Sequence, residues 1–105
     1  EWIRERTGIQ QRHIAAEGQT TSDLGYQAAL KALEDAGIGA SDLDLIVVAT
    51  STPDYTFPST ATIIQERLEM NHGAAFDLQA VCSGFLYGVS VVDAMIRSGL
   101  QIPFF

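Results

Sequence analysis

The chain has 105 residues, 47% of them hydrophobic, enough to bury a core either as one domain or as part of a larger one. Six basic against thirteen acidic residues give a net charge of −7, which disfavours a broad electrostatic grip on nucleic-acid backbones or anionic membranes. A single cysteine excludes an internal disulfide framework, and no apolar run approaches the ~18 residues that suggest a membrane-spanning helix.

The first residue is Glu1 rather than methionine, and EWIRERTG lacks the apolar stretch of a signal peptide. The expectation is a piece of a longer polypeptide in the reducing cytoplasm. Trp2 to Ile9 mixes charge with one large aromatic, and Thr7-Gly8 predicts a turn before a short strand over Ile9 to Ile14. Arg4, Arg6 and Arg12 make up three of the six basic residues, an enrichment compatible with an anionic ligand whose base Trp2 stacks. The plainer reading is ordinary packing for Trp2 and solvated arginines.

Thr20, Thr21, Ser22 and Asp23 cluster as helix-start residues, and Leu24, Ala28, Ala32, Leu33 and Ala36 then recur on one face. Gly37 supplies the left-handed stop. This amphipathic helix is expected to cover Leu45 to Thr50, LIVVAT, a strand apolar on both faces, with a helical turn over Ala40 to Asp44 between them. Helix and strand alternate, which argues for a mostly parallel sheet with helices on its faces.

Ser51 to Pro58 reads as a loop leaving the carboxyl end of that strand, where open α/β sheets place ligand sites. Phe57 in this loop is a candidate for a substrate pocket or subunit contact, or else tucks under its own loop. Ser59 caps the next helix, whose Ala61, Ile64 and Leu68 share a face. Ala74 to Leu78 forms the second strand and leads to Cys82, at the junction of strand and helix. Unpartnered amides and the helix dipole there favour thiolate over thiol, and Ser83 and Gly84 allow close approach. A small buried hydrophobe and a redox-sensing thiol are the alternatives for Cys82. The following helix is apolar almost all round, through Phe85, Leu86, Val89, Val91, Val92, Ala94, Met95 and Ile96, and is expected to be buried inside something larger than this chain. Gly99 ends it.

WIRERTGIQQRHIA, LIVVATSTPDYTFPST and AFDLQAVCSGFLYG, in this order and spacing, resemble the amino-terminal half of the β-ketoacyl-acyl carrier protein synthase III family, thiolase-fold condensing enzymes. The similarity runs from Glu1 to about Gly99. It implies an incomplete amino-terminal thiolase-like domain over 1–105, without the family's first strand and carboxyl-terminal half.

The implied roles fall only on matching positions. Cys82, in A-x-C-x-G-F, would be the nucleophile that takes an acyl group from acyl-CoA for decarboxylative condensation with malonyl-acyl carrier protein. Trp2 and Arg6, in W-I-x-x-R-T-G, would hold the adenine end of coenzyme A, with Thr7 beside them. Phe57, in F-P-S, would reach the acyl pocket of the other subunit of a homodimer, and Ser51 would line the same pocket. No cofactor is implied beyond the acyl-CoA substrate. The family's catalytic His and Asn belong to its other half, and neither His13 nor His72 lies in a matching motif. Two histidines and one cysteine without ligand-like spacing predict no metal site. Leu100 to Phe105 departs from the family pattern, since Pro103 suits only a strand edge. Two alternatives are a catalytically silent fragment acting as an interaction or assembly module, and a related thiolase or polyketide-synthase-type condensing enzyme.

Overall fold

The structure, a computed structural model, describes residues 1–99; the reading of Leu100 to Phe105 lies outside the described residues. The opening segment forms a short helix, α1 (Trp2–Thr7), ended by Gly8 in the left-handed conformation, with φ 72° and its N–H on the Arg4 carbonyl. The predicted Thr7-Gly8 turn is therefore present. The predicted strand over Ile9 to Ile14 is not: these residues are exposed and without regular structure. A strand needs a neighbour for its backbone groups, and among the described residues the sheet contains only the two strands described next.

Thr20 caps the long helix α2 (Thr21–Ala36) through a capping box, its hydroxyl accepting from the Asp23 N–H while Asp23 accepts from the Thr20 N–H. Gly37 ends the helix at φ 70°. A 3₁₀ turn, Ala40–Asp42, leads into β1 (Leu45–Ala49). Then come α3 (Thr60–Arg67), β2 (Ala74–Leu78), a second 3₁₀ turn over Val81–Ser83, and α4 (Gly84–Arg97). The strands pair in parallel, from Leu45 opposite Ala74 to Ala49 opposite Leu78. Both therefore end at the same edge, where the chain leaves β1 into the Ser51–Pro58 loop and β2 into the Cys82 turn.

The core centres on α3. Ile64, Leu68 and Met70 are buried, with Tyr26, Ala29 and Leu33 of α2 packed on them, together with Ile46 and Val48 of β1. The predicted α3 face is thus observed: Ala61, Ile64 and Leu68 are all buried. The expectation for α2 needs correction, because this helix packs chiefly on α3 and not on β1. Its inward face is Ser22, Gly25, Tyr26, Ala29 and Leu33, whereas Leu24, Ala28, Ala32 and Ala36 are exposed. Gly25 lies at this contact, where a Cβ would stand 2.6 Å from Ile64 Cδ1, so a larger residue would have to displace the end of that side chain. Arg67 stacks over the Tyr26 ring at 4.0 Å and pairs with Asp23 at 2.8 Å, closing the same interface from the solvent side.

The helix expected to be buried after the cysteine is exposed on most sides. Phe85 is 78% and Ile96 73% exposed, and only Gly84 is buried in α4. The physical reason is the small number of elements: β1 is the one strand or long helix against which α4 packs substantially among the described residues.

Candidate active site

Cys82 sits in the turn that converts β2 into α4, and its side chain is exposed. The backbone reaches it through Val81 at φ 47°, a left-handed conformation that a β-branched residue adopts only under constraint. The expectation that the first amides after Cys82 lack carbonyl partners is not met. The Ser83 N–H donates to the Ala80 carbonyl at 2.9 Å and the Gly84 N–H to the Val81 carbonyl. No such bond is made by the N–H of Cys82 itself among the described residues, which makes it the available donor at this turn. α4 adds the positive end of its dipole. A Cβ on Gly84 would lie 3.1 Å from the Ala49 Cβ, so glycine lets the first turn of α4 settle tightly on the end of β1.

The Ser51–Pro58 loop stands at the same sheet edge. Thr50 donates its N–H to the Leu78 carbonyl at 3.1 Å, and the Thr21 hydroxyl donates to the Thr52 carbonyl at 2.6 Å. Asp54 accepts from both the backbone N–H and the hydroxyl of Ser22, and its own N–H donates to the Thr60 hydroxyl at 3.2 Å. Burial pushes the Asp54 carboxyl up, but the hydrogen bonds from Ser22, side chain and backbone, and from Thr20 outweigh it and hold the group below the ordinary value of 3.8. On the far side of the loop, Asp77 of β2 accepts the N–H groups of Thr60 at 2.9 Å and Ala61 at 2.8 Å. Ser51 is exposed, and Phe57 is 89% exposed and does not tuck under its loop.

Trp2, Arg6 and Thr7 lie on α1, no residue of which is buried. Arg6 stacks over the Trp2 ring at 5.3 Å, one turn away, and Trp2 is 66% exposed. The Thr7 hydroxyl donates to the Ile3 carbonyl at 2.7 Å and accepts from the Ile9 N–H at 3.1 Å, so its hydrogen bonds are local. An apolar cavity of about 580 Å³ lies between β1 and α4, lined by residues including Val47, Ala49, Phe85, Val89 and Ile96, and none of the candidate residues contributes to it. His13 is exposed, and His72 lies 3.2 Å from Asp44. No group of three or more His, Cys, Asp or Glu suited to a metal ion occurs among the described residues.

Sequence reasoning passed over Asp54, Asp77 and Val81. For Asp77 a signal was present, since one acid inside the apolar strand AAFDL must have a partner to be there. For Val81 there was none.

Residues 76–102, which include the Cys82 turn, match the family described as 3-oxoacyl-[acyl-carrier-protein] synthase III. A β-ketoacyl-[acyl-carrier-protein] synthase III of Paramagnetospirillum magneticum is 67% identical over 99 residues, covering 94% of this chain and 31% of that protein. One of Rhizobium rhizogenes is 64% identical, with 95% and 31% coverage. The chain spans about a third of the length of the curated relatives it matches. Among solved structures, a 3-oxoacyl-[acyl-carrier-protein] synthase III of Aquifex aeolicus superposes with a TM-score of 0.81 at 46% identity, over 93% of this chain and 32% of that one. AbyA1, a tetronic acid condensing enzyme, does so with a TM-score of 0.81 at 33% identity, over 95% and 32%. The fold is thus a partial thiolase-like domain.

Proposed function

We propose, from the premise that the chain belongs to the β-ketoacyl-[acyl-carrier-protein] synthase III family, that it is the nucleophile-bearing part of an acyltransferase of fatty acid biosynthesis. The observation that carries this reading is the exposed Cys82 on a strand-to-helix turn, its own N–H unengaged among the described residues.

Chemically, the Cys82 thiolate attacks the carbonyl carbon of an acyl-CoA thioester, and a tetrahedral oxyanion forms. The Cys82 N–H is one donor for that oxyanion, strengthened by the dipole of α4. Collapse breaks the bond to the coenzyme A sulfur, which leaves as the thiol after taking a proton, and the acyl group stays on Cys82. Malonyl-acyl carrier protein then loses carbon dioxide, its carbanion attacks the acyl thioester, and the Cys82 sulfur is released with a β-ketoacyl product. This second half calls on the His and Asn that the resemblance assigns to the family's other half. Trp2, Arg6 and Thr7 bind coenzyme A in this reading, and Ser51 and Phe57 border the acyl pocket of a homodimer. Acyl-CoA and malonyl-acyl carrier protein are the partners, with no cofactor needed. A cytoplasmic setting accords with the lone thiol and with the described helices, none of which is long and apolar enough to cross a membrane.

Incubation of the chain with acetyl-CoA, followed by intact-mass measurement, is expected to show one acetyl adduct that Cys82→Ala abolishes. Absence of the adduct, or its persistence in Cys82→Ala, overturns the reading. A second reading, an assembly module without catalysis of its own, is favoured by one observation: the uncovered apolar girth of α4.

A further inference from the structure

We propose that Asp77 is a positioning residue that holds the Ser51–Pro58 loop in place relative to the Cys82 turn. The inference rests on the reading of Cys82 as nucleophile and of Ser51 and Phe57 as the border of its acyl pocket. It adds a residue that touches neither substrate nor sulfur.

A carboxylate in the middle of a short apolar strand is costly unless it is hydrogen-bonded. Asp77 meets that condition with both oxygens, one on the Thr60 N–H and one on the Ala61 N–H. These are the first two amides of α3, groups that no carbonyl within the helix satisfies and where the helix dipole favours negative charge. Thr60 and Ala61 are themselves completely buried, so the bonds are shielded from competing water.

The consequence for the loop follows from connectivity. Its entry is tied by the Thr50 N–H to the carbonyl of Leu78, and its exit runs through Ser59 into the two amides held by Asp77. Entry and exit therefore hang from adjacent residues of β2, at the end of the strand that continues into the Cys82 turn. The Asp54 N–H on the Thr60 hydroxyl draws the middle of the loop to the same point. Neutralising Asp77 leaves the Leu78 tether and the ties from Thr21 and Ser22 in place and weakens the anchor at the exit, which shifts the loop while the turn stays where the backbone of β2 puts it.

Cys82 is the sole thiol, so a nitroxide can be attached there without any other substitution. Paramagnetic broadening of the non-proline amides of 51–58 then reports how near the loop lies to the turn, and amide exchange at Thr60 and Ala61 reports the anchor. In Asp77→Asn, exchange at these two amides is expected to rise roughly tenfold or more, as befits loss of a hydrogen bond to a charged acceptor. The broadening profile of 51–58 is expected to change while that of 45–49 is retained. An unchanged loop profile, unchanged exchange at Thr60 and Ala61, or collapse of the whole spectrum each overturns the proposal, the last by making Asp77 a support of the entire fold. Failure of the acetyl-adduct experiment is a separate outcome, since the labelled chain needs no acyl-CoA.

Discussion

Asp54 and Cys82 lie in the two segments that leave the same end of the sheet, one after β1 and one after β2. Asp54 is half-buried, which raises its carboxyl, and the Ser22 and Thr20 hydrogen bonds bring it below 3.8. A folded-state value below the unfolded one means that the stabilisation is fully present above pH 3.8 and is lost as pH falls through the lowered value. Asp54→Asn is therefore expected to lose about 1–2 kcal/mol at neutral pH, read from urea denaturation, and to show a smaller further loss on acidification than the parent. An equal acid loss in both proteins contradicts this account of Asp54. Asp23 works in the same direction, lowered first by the backbone and side chain of Thr20 and then by Arg67, but its side chain is open to solvent and adds little. At Cys82, the next two amides are committed to the turn, so the proposed nucleophilic role has its own N–H and the dipole of α4 to draw on. Val81 at φ 47° places a strained backbone conformation directly before the exposed Cys82.

Between elements, glycine marks the places where backbones meet. Gly73 has φ 87°, and a Cβ there would run into the Asp44 carbonyl, which accepts the Ala74 N–H at 3.1 Å and opens the pairing of β1 with β2. Gly73→Ala is expected to cost more than about 1 kcal/mol in urea denaturation, because strain and collision act together against the small entropic gain of alanine. A neutral result at this position means that the two strands part there without consequence. Helix α2, by contrast, was legible almost to the residue at its ends, through Thr20, Asp23 and Gly37, but not in its rotation. Several small apolar residues around it allow more than one inward face, and the packing of Tyr26, Ala29 and Leu33 on α3 selects among them. The segment Ile9 to Ile14 failed as a strand for a related reason: a strand exists only where a partner receives its hydrogen bonds.

Over the whole molecule, the apolar surface of α4 dominates the exposed side, with Phe85, Leu86, Val89 and Ile96 all exposed beside the β1–α4 cavity. Such a patch drives association in water. The chain is expected to elute from size exclusion at increasing apparent mass as its concentration rises, and Phe85→Glu combined with Ile96→Glu is expected to suppress the shift. Elution as a monomer at every concentration, or a shift unaffected by the two charges, removes α4 as the cause. The same patch explains why the helix reads as interior from its sequence and is yet exposed in this structure: periodicity reports what a helix is suited to contact, and coverage depends on which elements surround it.

The amino-acid order alone determined both caps of α2, the N-cap of α3, two of the three expected strands, the inward face of α3, and the arrival of Cys82 at a strand-to-helix junction. All of these depend on local conformational preference or on apolar residues adjacent in the chain. Tertiary structure alone decided which amides near Cys82 are engaged, which side of α2 faces inward, and how Asp54 and Asp77 bind the loop between them. Those features join residues distant along the chain, and a hydrogen bond or a close contact forms only where folding has brought both partners together.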